Sequence, residues 1–318
     1  MLSIEMYPND SPLRGVEGHP STITQLRERL TKEAENDVAL QIDKDSSASN
    51  CIKVTGRGDL HLGVLFEKMR REGLEFMVSP PQIITKVVNG VLYEPIERVV
   101  IEVDEAYERS IIELFQLKGA FLVDSEKTTK GDKTTKLTFE ITSRGFIGCR
   151  SRIMSSTRGT AIITAEFLKY EKFTGNINKN KRGAIISMAE GKATAYALGD
   201  LDKRGRLFIE PGTIIYPGTV IGEHVLEADL EVNPCKKKRQ TNVRTHSHDD
   251  KIVLSPPKKF NIDEALSYIR EDEIVEVTPK TIRIRKKVLD PQLRRKMKKE
   301  EMNTEKKLSG SGKSGNRK

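Results

Sequence analysis

Four groups of residues have types and spacings that could do chemistry. The first is Arg57-Gly58-Asp59 with His61, inside "VTGRGDLHLGVLFEKMRREG". It resembles an adhesion tripeptide, and it places glycines ahead of a helix as a phosphate loop does. The second is Lys236-Lys237-Lys238-Arg239, followed by Gln240, Thr241, Asn242 and Arg244. Cationic side chains there suit phosphate oxygens, and the amide and hydroxyl groups suit hydrogen bonds to a polyanion backbone. The third is His246, His248 and Asp249, two imidazoles and a carboxylate in the same basic stretch. With no third firm ligand they read as solvent-exposed, and no metal site is expected. The fourth is the terminal "SGSGKSG". The first glycine of a nucleotide loop would fall at Lys307, and neither a preceding strand nor a following helix is evident.

The spacing elsewhere excludes several functions. Neither G-x-x-x-x-G-K-[ST] nor G-x-G-x-x-G is present around Gly58. Cys51, Cys149 and Cys235 are widely spaced and read as unpaired thiols. No nucleophile, base and orienting group can be assembled, so no catalytic residue is expected. No apolar run reaches the ~18 residues of a membrane helix, and the first ten residues lack the pattern of a secretory signal. The net charge of +9 is concentrated at one end. Residues 280–318 hold fifteen basic and four acidic residues, which leaves the first 279 near −2. A basic end of this kind suits a polyanion partner.

The elements that must carry these residues form a repeating pattern. Leu2, Ile4 and Met6 alternate with polar residues as a strand. Ile23, Leu26, Leu30 and Ala34 lie at helical spacing, with Ser21 as the expected N-cap. Two short strands, "VALQID" and "CIKVT", precede a second helix marked by Leu62, Leu65, Phe66 and Met69. Asp59 is expected to cap this helix and Gly73 to end it, before the strand "LEFMVS". The order is β-α-β-β-α-β, that of ferredoxin-like domains. From about Val91 the same order recurs. Arg57-Gly58 lies 87 positions before Arg144-Gly145, and Gly73 lies 86 before Gly159. The Gly56 and Gly58 positions read as a tight strand-to-helix turn using positive φ. Arg57 and nearby backbone N–H groups there could also contact RNA phosphate.

The fold class expected is therefore α+β: two ferredoxin-like βαββαβ domains, residues 1–86 and 87–172, then a strand-rich C-terminal domain at 173–290 and a basic tail at 291–318. In the third domain, "NIDEALSYIREDE" reads as a helix with a capping box between Asn261 and Glu264. "KTIRIRKKVL" reads as a strand in which Arg283 and Arg285 form a basic outer face. The tail reads as a charged helix at most, then disordered.

Several segments carry a family resemblance. "GRGDLHLGVLFEKMRREG" followed by "VSPPQIITK", then "SRGFIGCRSRIMSSTRG", "KRGAIISMAEGKATAYAL", "LFIEPGTIIYPGTVIGEH" and "DEIVEVTPKTIRIRKKVLD", together resemble the C-terminal half of the translational GTPases called TypA or BipA. The likeness runs from about residue 2 to about 290. It implies that the first two domains resemble domains III and V of elongation factor G, and that the third is the family's own C-terminal domain. It further implies a ribosomal partner, with contacts to large-subunit RNA and tRNA and a family role in ribosome assembly and stress adaptation. Lys236, Lys237, Lys238, Arg239, Thr241, Asn242 and Arg244 would be the RNA contacts of the matching loop; Arg57 is a further expected contact from its place at a helix start, not from the resemblance. GTP and magnesium belong to the family's GTPase domain, whose motifs these residues lack, so no cofactor is expected in this chain. The GTPase half is expected either to have been removed or to be separately encoded. A bacterial cytoplasm is the implied compartment, with a plastid or mitochondrion as the alternative. Two rival readings remain: a free-standing RNA-binding assembly module, and an inert remnant.

Overall fold

A computed structural model describes residues 1–43, 50–127, 134–175, 182–237, 253–297 and 299–300. The first copy of the repeat contains β1 (Leu2–Pro8), β2 (His19–Pro20), α1 (Ile23–Asn36), β3 (Gln41–Ile42), β4 (Ile52–Gly56), α2 (Asp59–Arg71) and β5 (Leu74–Val78). The strands align as β5-β1-β4-β3. β1 is antiparallel to both β4 and β5, with Ile4 opposite Val54 and Met6 opposite Val78. Leu26 and Leu30 of α1, and Leu62, Leu65, Phe66 and Met69 of α2, are buried as their spacing requires.

The caps differ from expectation. Thr22, not Ser21, is the N-cap of α1, and it exchanges reciprocal bonds with Gln25: Gln25 N–H donates to Thr22 Oγ1 (3.4 Å), and Thr22 N–H to Gln25 Oε1 (2.9 Å). Ser21 is buried instead. Gly58, not Asp59, caps α2, and Asp59 sits in the first turn. Neither Gly56 nor Gly58 uses positive φ; Gly58 is extended at −170°. Gly56 is needed for space, since a Cβ there would come within 2.8 Å of Leu62. Gly73 does end α2 with φ +87°.

The second copy follows β6 (Gln82–Ile83) and β7 (Lys86–Val88). It contains β8 (Val91–Asp104), α3 (Glu108–Leu117), β9 (Phe121–Lys127), β10 (Thr134–Thr142), α4 (Ser143–Phe146), α5 (Cys149–Ser156) and β11 (Ile162–Lys172). Its sheet order is β11-β8-β10-β9. Numbered within each copy, with the two-residue β2 left out, both sheets read 4-1-3-2, so the common element order is matched by a common topology. β7 and β8 form a hairpin through Asn89 (φ 51°) and Gly90 (φ 76°), a turn in which both central residues are left-handed. Val99, Ile101, Leu137, Phe139 and Ile141 on the sheet pack against Ile111, Phe115, Cys149 and Ile153. Each such side chain contributes about 1.5–3 kcal/mol on burial. Burial pushes the Cys149 thiol up to about 11, which keeps it protonated and unreactive at neutral pH.

Residues 182–259 contain β12 (Ala184–Ser187), β13 (Gly191–Lys192), α6 (Ala195–Asp202), β14 (Gly205–Leu207), β15 (Ile214–Ile215), β16 (Thr219–His224) and β17 (Leu230–Val232). They are followed by α7 (Ile262–Tyr268), β18 (Glu273–Val277) and β19 (Ile282–Lys286). Two compact units result. One comprises residues 1–181, 260–271 and 275–282; the other comprises 182–259, 272–274 and 283–318. In the first unit, Val275–Val277 of β18 continue the sheet of the first copy, with Val275 opposite Val78. In the second, β12 lies between β16 and parallel β17, and β16 also pairs with β14 and β19. Its core joins Ile185, Leu198, Leu201, Leu207, Ile215 and Ile221.

α7 packs on α2 within the first unit. As expected, its capping box is formed, with Asn261 N–H donating to Glu264 (3.4 Å), and Ile262, Ala265 and Leu266 are buried. Asp263 faces Gly63, where a Cβ would come within 1.5 Å of its Oδ1. Burial, then the carboxylates of Asp59, Glu264 and Glu67, push the Asp263 carboxyl up to about 6. A folded-state value above the unfolded ~3.9 means that the folded chain binds more protons between the two. The penalty of this carboxylate is therefore present above about pH 6 and relieved on acidification towards pH 4. Asp263→Asn should raise the thermal midpoint at pH 7.5, and the gain should shrink at pH 4.5. Equal gains at both pH values would contradict this account.

Candidate nucleic-acid interface

The basic run begins on a fixed base. In the second unit, β17 leads through Asn233 and Pro234 to Lys236 and Lys237, both exposed. Thr194, the N-cap of α6, binds this segment twice. Its N–H donates to Pro234 O (3.0 Å), and its Oγ1 donates to Lys236 O (2.5 Å). The same hydroxyl accepts from Ala197 N–H (3.2 Å), so one side chain caps the helix and holds the loop. The chain returns at Val253. Ser255 donates its N–H (3.1 Å) and its hydroxyl (2.9 Å) to Asp202, the last residue of α6. Val232, Cys235 and Leu254 pack on the core that holds Leu198 and Leu201 of α6. The two ends of the basic segment are thus fastened to opposite ends of one eight-residue helix, about 12 Å apart at ~1.5 Å per residue.

Lys192, Lys203 and Arg204 are also exposed on this unit, as are the carboxylates of Glu190 and Asp200. Lys238, Arg239, Thr241, Asn242 and Arg244 lie outside the described residues, as do His246, His248, Asp249 and "SGSGKSG". Thr194 and Asp202, the two anchors, were not predicted. The strand-rich expectation for residues 173–290 does not include α6. Its signals were Thr194 as an N-cap and Ala197, Leu198 and Leu201 on one helical face.

Arg57 belongs to the first unit, where it is exposed at the start of α2. Its N–H donates to His61 Nδ1 (3.3 Å), and His61 Nε2 is 2.5 Å from Asp37 Oδ2. That imidazole therefore links the end of α1 to the start of α2. The bond from His61 holds the Asp37 carboxyl below its usual value. With Nδ1 accepting from the Arg57 N–H and Nε2 donating to the Asp37 carboxylate, this is a positioning contact for the turn. Arg144, the repeat counterpart of Arg57, is used differently. Its Nε is 2.6 Å from the buried Glu94, and its guanidinium lies 4.3 Å over the Phe173 ring. Of the two Arg-Gly turns, the first keeps its cation accessible.

The basic outer face expected of Arg283 and Arg285 on β19 is not formed: Arg283 is half-buried and Arg285 is buried. Arg285 and Lys286 are buried, at 2% and 1% exposure. Lys286 Nζ meets Asp272 (2.7 Å), Glu273 (3.0 Å) and Asp229 (3.5 Å) in the second unit. β19 pairs with β16, Arg285 opposite Thr219, and Lys286 at its end enters the ion cluster. Residues 291–297 are helical, and Arg294 and Arg295 both pair with Glu231. Part of the tail's positive charge is therefore neutralised internally.

Residues 91–190 match the elongation factor G C-terminus, and residues 182–291 match the TypA/BipA C-terminal domain. The chain carries the C-terminal half of a TypA/BipA protein. It is 42% identical over 285 residues to the large ribosomal subunit assembly factor BipA of Synechocystis, covering 90% of this chain and 47% of that one. The corresponding figures for the Bacillus subtilis BipA are 39%, 93% and 48%. A putative elongation factor TypA-like chloroplastic protein, SVR3, of Arabidopsis thaliana is 39% identical, covering 87% of this chain and 40% of its own. The chain thus spans about half the length of the curated relatives it matches. The TypA/BipA match contains the whole α6-anchored base and both ends of the basic segment. Among the described residues, no helix is long and apolar enough to cross a membrane.

Proposed function

We propose that this TypA/BipA C-terminal half is a ribosome-binding module that acts in large-subunit assembly, with the α6-anchored basic segment as its principal RNA contact. The observation that carries the proposal is the two-ended anchorage. Four consecutive basic residues start from a backbone held at Thr194, which lowers the ordering entropy they lose when they meet phosphate. The names of the relatives supply the particle. Arg57 is a secondary contact, because its guanidinium is exposed at the start of a helix whose first N–H groups favour anions. Contact with tRNA, and cooperation with a GTPase half, belong to the same proposal. So does the assignment of no catalytic step and no cofactor to this chain. GTP and magnesium would act only through that other half. The compartment follows the relatives: bacterial cytoplasm, or a plastid.

The test is co-sedimentation of the 318-residue chain with purified bacterial large subunits across a salt series. The expected result is saturable binding that declines linearly on a log–log salt plot, because each neutralised phosphate releases counterions. Absence of saturable binding by the folded chain at low salt would reject the proposal.

A further inference from the structure

The helix that anchors the basic segment carries an exposed aromatic side chain that the phosphate-contact reading leaves unused. Tyr196 lies on the first turn of α6, two residues after the Thr194 that holds the Lys236 backbone. It is 43% exposed, although Ala197 and Leu198 beside it are buried in the core. Among the described residues of the second unit it is the one aromatic side chain among the exposed large hydrophobic residues. One turn further along the helix stands Gly199, which has no side chain to cover the ring. The next exposed residue on that face is Asp200. Lys192 is exposed on the β13–β15 strand pair that leads into the helix, opposite the exposed Ile214.

We propose that Tyr196 stacks against one unpaired nucleobase of an RNA whose backbone runs along Lys236 and Lys237. The chemistry is specific to a single-stranded or splayed nucleotide. A tyrosine face held on a rigid helix accepts any base, loses little conformational entropy, and cannot reach a base inside a duplex. Lysines on the adjoining segment neutralise the flanking phosphates. Asp200 repels phosphate on its own side, which favours a backbone path over the lysines. The hydroxyl is not needed for stacking, so phenylalanine should serve as well. The inference deepens the RNA-binding reading and rests on it, but it makes a narrower claim.

The test uses the full chain and two synthetic probes of equal length, an unstructured single-stranded RNA carrying 2-aminopurine and a blunt RNA duplex. Fluorescence titration reports affinity and stacking together. Tyr196→Ala should weaken single-strand binding by about 5- to 150-fold, as expected for one stacked base. It should abolish 2-aminopurine quenching and leave duplex affinity and both salt slopes unchanged. Tyr196→Phe should retain wild-type behaviour on both probes. Lys236→Ala with Lys237→Ala should lower both affinities and flatten both slopes. If the chain binds both probes and Tyr196→Ala changes neither, the stacking proposal fails while the RNA-contact reading stands. An equal loss on both probes would assign Tyr196 a structural role and also overturn the proposal. If the chain binds neither probe, the stacking proposal fails, and co-sedimentation with large subunits decides the RNA-contact reading separately.

Discussion

Replacing Lys286 by methionine should destabilise the chain by about 3–5 kcal/mol, the usual cost of removing one partner from a buried ion pair. The side chain is 1% exposed, and its ammonium lies 2.7 Å from Asp272, 3.0 Å from Glu273 and 3.5 Å from Asp229. Methionine preserves most of the stem volume, so little packing is lost. The damage is electrostatic, because Glu273, itself 1% exposed, keeps its carboxylate beside two others with the Lys286 cation gone. Adding Glu273→Gln should recover part of the loss, since the double variant removes the buried anion as well. Urea unfolding followed by circular dichroism measures both effects. A single variant within ~0.5 kcal/mol of wild type would show that water already screens the cluster. The pH dependence has a definite sign. Burial alone would lower the Lys286 value, but Glu273, Asp272 and Asp229 outweigh it and raise it. A folded-state value above the unfolded ~10.4 gives a contribution that is complete below that pH and lost as pH rises through the folded value. Alkaline destabilisation above about pH 10 should therefore be steeper in wild type than in Lys286→Met.

The same residue shows where sequence reasoning failed. Alternation of Ile282, Arg283, Ile284 and Arg285 reads as one wet face and one dry face. That inference holds for a strand with one covered side. β19 ends with Arg285 and Lys286 both buried, and carboxylates from residues 229, 272 and 273 make the lysine's burial tolerable. Nothing in the local pattern identifies partners 13 and 57 positions away. By contrast, the helices and sheets of the two repeats were legible because their apolar residues follow strict periods. Leu62, Leu65, Phe66 and Met69 specify a helix face whatever surrounds them, and all are buried. The constant offset between Arg57-Gly58 and Arg144-Gly145 correctly indicated a shared architecture. It was silent on the fate of the two arginines, because Glu94 and Phe173 sit far from Arg144 in sequence. The candidate interface was half legible. Its charge was plain in Lys236 to Arg239, whereas its support was hidden, since the region rich in glycine and proline masked the short helix α6 that fastens it.

That support determines what removing the charge should do. Changing Lys236, Lys237 and Lys238 together to alanine should lower the affinity for large subunits by about a hundredfold near 0.1 M salt. Three lost phosphate contacts at a slope of ~0.7–0.9 each account for this magnitude. The log–log salt slope should flatten by about 2–3. The fold should be untouched, because Thr194 grips the backbone carbonyl of Lys236 and not its side chain. Circular dichroism and the thermal midpoint serve as the check. The comparison that isolates location from net charge is a variant with Lys32 and Lys53, both exposed on the first unit, changed to alanine. That variant loses two charges and should bind nearly as wild type, with its slope reduced by less than one. Thr194→Val supplies the complementary case. It keeps every lysine but removes the hydroxyl that bonds Lys236 O and caps α6, so it should lower the thermal midpoint and weaken binding while leaving the salt slope close to wild type, since the number of phosphates met is unchanged and the ordering cost rises. If the triple variant keeps the wild-type slope, the phosphates are met elsewhere, and the anchored segment is a solvated loop. If Thr194→Val flattens the slope as strongly as the triple variant, the anchorage determines whether the lysines reach RNA at all.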